Sequence, residues 1–505
     1  MSKYSNLPGI DVNIADGGLI LPEDTRTESL LIIGKAGRPD APKEPVLVRQ
    51  SAELEALGFG SFVEDGKVNE IAAAWKAAHE AGNHRIYLMS MGKLEEGEIL
   101  DVDPNTLTTG EKFQFVQDAL NGPLTDFSIN HIVLTGAYAN EKAEIDGLEL
   151  EYTSGVENEF QTEASVSLNV ETGVNDTVKI NEDTLTLDAK EYQSVDEWIV
   201  ELQSEIKKAR LEGFTVSKVG EKVRISHGAQ FTIGAGSTAI GEEAGVTSST
   251  RGNFASLIAH YAEQQTLSNN STIAYIGVVP PKSNSLRGVK THVDELVNTH
   301  NQYSGYVQVV AAPELGYRIP GRSETHYMNG VVTYAATVST LRPESAPTNK
   351  TIAGISGIRY NLSQRQLNEL TGAKYVTFRL RGAQVIVTDG ITTAPDRVLG
   401  GMVQESDYTR LSTLRITQAT TQMIRDLCEP FIGEPNRMPQ YNALNATVKG
   451  GLEAMKAQGV IFDYRFTVIS QSGSLSEAVI TLEIVPALEM RRITIDVSLR
   501  PQYLF

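Results

Sequence analysis

The stretch from Tyr441 to Leu499 constrains the fold more than any other, because its apolar spacing changes period once and then holds. Tyr441, Leu444, Val448, Leu452 and Met455 fall three or four residues apart, which draws one apolar stripe on a helix. Gly459 follows, where a glycine just past a helix end usually stops it. Three alternating runs come next. Phe462, Tyr464, Phe466 and Val468 alternate with Asp463, Arg465 and Thr467; Ile480, Leu482 and Ile484 with Thr481 and Glu483; Ile493, Ile495, Val497 and Leu499 with Thr494, Asp496 and Ser498. Period two predicts strands with one buried face and one wetter face. Only Arg500 to Phe505 follow the last run. This strand is therefore predicted to offer unpaired N–H and C=O groups that another chain can use.

A second short strand is predicted near the other end. Residues 1–25 read as an extended arm: Pro8-Gly9 forms a turn, Ile10, Val12 and Ile14 alternate, and Asp16-Gly17-Gly18 breaks the run. The pattern leaves open whether the two end strands pair inside their own domain or with a neighbour.

Between them lies enough chain for about three or four domains. Ser29–Gly34 reads as a buried strand, residues 35–45 hold three prolines and read as loop, and Ile71, Ala74, Trp75 and Ala78 mark a helix ended by Gly82-Asn83. Arg85–Met89 is the next strand, and strand–helix–strand suggests an α/β layer. From about residue 95 the chain turns rich in Glu, Thr, Gly and Asn with short strand runs, among them Ile132–Tyr138, Thr177–Leu187 and Phe214–Ser226, and a helix at Trp198, Leu202 and Ile206. The α/β pattern resumes near 252 with Phe254, Leu257, Ile258 and Tyr261, then a strand over Ser271–Val279 and an apolar stripe at Leu286, Val289, Val293, Leu296 and Val297. Pro343 and Pro347 mark a hinge. The predicted fold class is a multidomain α+β and α/β chain. It has an arm at 1–25, a discontinuous α/β domain at 26–94 plus 252–342, a strand-rich insertion at 95–251, a C-terminal domain at 343–490 of helices on a sheet, and a terminal strand at 491–505.

Composition removes several functions. The formal charge of −19 argues against direct nucleic-acid binding, which wants a concentrated basic surface. Eight acidic residues against Lys142 alone between Glu141 and Glu163 read as a solvated outer face. Cys428 is the only cysteine, so no intramolecular disulfide forms and a reducing compartment is expected. Met1–Leu21 has neither the charge pattern nor the apolar core of a signal peptide or anchor. No apolar run of about 18 residues occurs, so no membrane insertion is expected.

The chemical motifs fail on spacing. Gly354-Ile355-Ser356-Gly357 is not a nucleophile elbow, and Gly34-Lys35 lacks the upstream glycine of a P-loop and is followed by alanine. Gly234-Ala235-Gly236 is followed by no amphipathic helix to hold a pyrophosphate. Asp101, Asp103 and Asn105 begin like a calcium loop, but Thr106 replaces the glycine and Lys112 the bidentate glutamate. The eight histidines lack zinc spacing; His292 reads as a helix-flank residue, and Cys428, beside Ile424, Leu427 and Phe431, as a structural thiol. No enzyme, cofactor or metal is predicted. An α/β enzyme with a carboxylate-lined cleft is the alternative the pattern leaves.

The ordered segments of the C-terminal third carry a likeness. Thr348–Gly354, Ala383–Thr393 and Tyr408–Ile416 come first; a helix ending at Phe431–Asn436 follows, then the helix at 441–458 and the three strands. This succession resembles the C-terminal domain of tail sheath proteins from contractile-tailed bacteriophages, and Leu7-Pro8-Gly9-Ile10-Asp11-Val12 is similar to their start. Val387-Thr388-Asp389-Gly390 departs from the Arg-Gly-Gly type turn of many relatives. The resemblance implies a subunit that polymerises as stacked six-membered rings in a helical array around an inner tail tube. It also implies baseplate and tail terminator proteins as partners, assembly in the bacterial cytoplasm and residence in the virion. It implies that Ile10, Val12 and Ile14 of one subunit, and Ile493, Ile495, Val497 and Leu499, complete the sheets of neighbours. Sheaths of related injection systems, tailocin or secretion type, share these features.

Overall fold

The computed structural model describes residues 28–491 apart from short internal segments, the longest being 471–477. The described chain divides into two units, one of residues 28–341 and 347–410, the other of 342–346 and 411–491.

The first unit is built on a seven-stranded sheet: β1 (Leu30–Gly34), β2 (Val46–Val48), β3 (Ile86–Ser90), β4 (His131–Tyr138), β5 (Ile273–Gly277), β6 (Val307–Val310) and β7 (Tyr375–Val376). Their spatial order is β2-β3-β1-β4-β5-β6-β7, all parallel except β2. The crossovers include α1 (Glu70–Glu80), α2 (Thr109–Asn121), α3 (Phe254–Leu267), α4 (Leu286–Val297) and α5 (Val331–Ser339). On one face Phe113, Phe254, Leu257 and Val293 pack with Leu31, Ile33, Ile132 and Leu134; on the other α1 packs with α5. A parallel sheet covered on both faces needs apolar side chains in both directions, which is why Leu30–Gly34 is an unbroken run with every residue buried. Trp75 fills the α1 side, and its indole N–H donates to the Val48 carbonyl at 3.0 Å. Helix starts are chemically marked: Thr108 and Glu111 form a capping box on α2, Asn253 caps α3 and Ser285 caps α4.

The structure moves the expected boundaries. The composition change near 95 is not the edge of an insertion, because β4 within 95–251 lies in the central sheet between β1 and β5 and α2 packs on that sheet. Polar connections flank them, so average composition hid an α2 stripe of Phe113, Phe115, Val116 and Leu120. What projects is narrower. A five-stranded antiparallel sheet (142–144, 156–161, 215–219, 222–227, 249–253) and a four-stranded one (177–180, 183–186, 232–233, 246–247) surround the helix Val195–Lys208. Its own core holds Trp198, Leu202, Val178, Ile180, Ile225 and Phe231. Within the acidic stretch, Glu157 and Glu159 are not merely solvated; they close on Lys142 at 2.9 and 2.6 Å. The expected C-terminal domain is also divided. Residues 347–410 join the first unit, since Tyr375 and Val376 pair in parallel with Val309 and Val310.

Candidate assembly surface

The second unit consists of α6 (Leu411–Cys428), α7 (Met438–Ala457), β8 (Ile461–Ser470) and β9 (Ala478–Pro486). On α7 the stripe lands as spaced, with Leu444, Val448, Leu452 and Met455 buried; Tyr441 is half-buried. Gly459, at φ 77°, turns the chain out of the helix, and the Val460 N–H donates back to the Met455 carbonyl at 3.0 Å. β8 therefore starts one residue later and lies back over its own helix. Gly451 faces α6: a Cβ there would stand 2.4 Å from Leu427 Cδ1 and Met423 Sδ. Ile416, Met423, Ile424 and Cys428 of α6 complete the core.

β8 and β9 pair antiparallel along their lengths, from Asp463 opposite Val485 to Ser470 opposite Ala478. Tyr464, Phe466, Val468, Ile480, Leu482 and Ile484 face the helices, each only half-buried. The alternation fails at Phe462. The register shifts between Ile461 and Asp463, so Ile461 is buried and Phe462 stands 76% exposed. On the outer face Arg465 and Glu483, both exposed, pair across the strands at 3.3 Å. Tyr464 donates its hydroxyl to Glu453 at 2.6 Å and Lys456 pairs with Asp463 at 2.8 Å, tying β8 to α7.

Among the described residues this sheet has two strands of ten and nine residues and no other strand on either edge. A long open edge is a template for a further strand. Exposed large apolar side chains gather in the same unit: Phe462, Val485, Leu488, Met490, Met438 and Ile432. The predicted arm residues Ile10, Val12, Ile14, Ile493, Ile495, Val497 and Leu499 lie outside the described residues. The described part is two paired strands, legible in the sequence only as period two.

The residues weighed for chemistry are dispersed. The Asp103 carboxylate accepts the backbone and side-chain N–H of Asn105, both at 2.9 Å, which is a local turn. The 234–236 stretch is a loop whose Ala235 carbonyl accepts from Lys179. His292 is buried on α4, beyond the flank position expected, and burial lowers its pKa. Burial pushes the Cys428 thiol up to about 11, so it stays protonated and packs as an apolar group.

No family model matches the sequence, and no curated protein matches it. Solved structures do. A chain of the anti-feeding prophage baseplate in its contracted state is 12% identical, with 98% of this chain and 99% of that chain covered at a TM-score of 0.52. A chain of the six-fold symmetrised baseplate of the same particle is 10% identical, with 96% and 99% covered at 0.50. A chain of its contracted helical sheath is 11% identical, with 99% and 98% covered at 0.49. The first two establish a shared fold over nearly the whole length of both chains.

Proposed function

We propose that this chain is the sheath subunit of a contractile injection machine. The observation that carries the reading is a fold shared with chains of a contractile particle's baseplate over nearly the whole length, together with the β8–β9 pair seated on α6 and α7, which among the described residues bears no third strand. Strand addition to such a pair couples subunits through backbone hydrogen bonds worth roughly 0.5–1.5 kcal/mol each. Four paired residues with buried Ile and Leu would hold neighbours together while the connecting segments bend. A lattice so linked changes pitch and diameter without dissociating. Rings of six stacked around an inner tube, held extended by a baseplate and closed by a terminator, then contract by completing subunit contacts and drive the tube forward. The role is mechanical, not catalytic.

The likeness to anti-feeding prophage chains favours an injection particle over a phage tail. The neighbouring genes separate the two, toxins and an ATPase marking the first, capsid and terminase the second.

The test is negative-stain electron microscopy of the concentrated protein with a deletion of residues 1–20 alongside. Hollow tubes with a helical repeat, absent from a deletion that stays folded, support arm exchange. Tubes that persist in the deletion remove the N-terminal arm from the mechanism. Compact particles alone, even with the inner-tube protein added, argue against a sheath.

A further inference from the structure

The Gly34-Lys35 pair, set aside as a P-loop, lies at the one place in the first unit where topology favours a ligand. Along the sheet the parallel strands run β3-β1-β4-β5-β6-β7, so chain order reverses between β1 and β4. Open α/β sheets bind ligands outside the carboxyl ends of their strands at this reversal. Lys35 directly follows β1, Gly136 and Tyr138 end β4, Glu70 opens α1 and Lys112 lies at the start of α2.

These groups converge. Lys112 is 7% exposed, and its ammonium donates to the Gly136 carbonyl at 3.2 Å. The Lys35 ammonium lies against it. A Cβ on Gly136 would stand 3.5 Å from both Lys35 Cε and Glu70 Oε2. Among the described residues neither lysine closes an ion pair with a carboxylate. Two ammoniums side by side, one nearly buried, are only partly offset by the Glu70 and Glu141 carboxylates nearby. Burial and Lys35 accordingly lower the Lys112 pKa against the pull of Glu141 and Glu70. The Glu141 carboxylate accepts from the Thr109 hydroxyl at 3.2 Å through Oε1, and its buried Oε2 has no partner. Burial, with Glu70 and Glu141 nearby, pushes the Tyr138 hydroxyl up to about 12, so it remains a donor.

The strand ends therefore offer cationic donors together with a carboxylate acceptor. Phosphate fits both, with unprotonated oxygens for the lysines and, at neutral pH, a P–OH proton for a carboxylate. Sulfate carries no such proton. We propose that the carboxyl ends of β1 and β4 bind inorganic phosphate, Lys35 and Lys112 holding its oxygens and Glu141 accepting its P–OH.

Isothermal titration of the full chain with inorganic phosphate, at ionic strength fixed by chloride, tests this. One saturable site is expected, weakened about tenfold or more by Lys35→Ala and by Lys112→Met, as loss of a charge-assisted hydrogen bond implies. Sulfate should bind about tenfold more weakly, and Glu141→Gln should narrow that gap. Glucose 6-phosphate, mainly a dianion without a P–OH at neutral pH, should bind more weakly than inorganic phosphate in a parallel arm, and equal affinity would overturn the role of Glu141. Absence of saturable heat, or unchanged affinity in Lys35→Ala, overturns the proposal. Equal affinity for sulfate overturns the assignment to phosphate. Circular dichroism checks the fold of Lys112→Met; Lys35, half-exposed, decides the matter alone if that variant unfolds.

Discussion

At the scale of single residues, the structure separates positions that tolerate change from those that do not. Gly155 has φ 72°, and a Cβ there would stand 2.6 Å from Leu257 Cβ and 2.9 Å from its Cα, atoms that cannot swing aside. Gly155→Ala is expected to cost about 2 kcal/mol or more, from left-handed strain and overpacking together, read from urea unfolding. Leu452 is fully buried between the helices of the second unit and its hairpin, so Leu452→Ala should cost about 2–5 kcal/mol in that unit. Asp118 on α2 behaves differently. Burial first, then Glu151, pushes its carboxyl from 3.8 up to about 6. Across that window the folded chain holds a proton the unfolded chain has released, so stability falls as pH rises through it. Asp118→Asn should then raise the thermal midpoint at neutral pH and leave it unchanged below the ordinary carboxylate range. A midpoint that does not respond at neutral pH would show that water reaches the carboxylate.

At the scale of elements, β8–β9 differs from the strands of the first unit in how little covers it. Leu482 faces the helices yet is half-buried. Leu482→Ser should therefore cost about 1–2 kcal/mol, less than a core truncation, because only part of the side chain leaves water on folding. A loss matching that of Leu452→Ala would mean that the inner face is covered more fully. The bulge at Phe462 explains the discrepancy between pattern and burial: one extra residue on β8 turns Phe462 outward while keeping Ile461 and Tyr464 on the helix side.

At the scale of the whole molecule, the projecting part has a core of its own and enters and leaves the first unit on paired strands. Asn158 lies opposite Thr250, with Glu157 opposite Arg251. Replacing 159–249 by an Asn-Gly turn joining those partners should leave the first unit folded, with near-unchanged cooperativity on thermal unfolding, and should spare assembly. Excising 95–251 instead removes β4 from the sheet and α2 from its face, and that variant is expected not to fold. If the shorter excision also fails, the projecting core supports the sheet below it.

The sequence by itself determined the local elements. Stripes at Leu444, Val448 and Leu452 and at Val289, Val293 and Leu296 became helices, and the alternation after Gly459 became a hairpin, because side-chain period and backbone period are the same physical quantity. It also carried a likeness to contractile-tail proteins, and the structure shares its fold with chains of the anti-feeding prophage baseplate at 10–12% identity. Only the tertiary structure decided which elements share a sheet. Ile132–Tyr138 and Tyr375–Val376 are too short to announce their partners, and parallel pairing joins residues far apart in the chain, here Leu30 with His131 and Val309 with Tyr375. No local pattern encodes such pairings, so neither the composition change near 95 nor the prolines at 343 and 347 mark where the central sheet ends. The convergence of Lys35 and Lys112 has the same origin, since it exists only where β1 and β4 lie side by side.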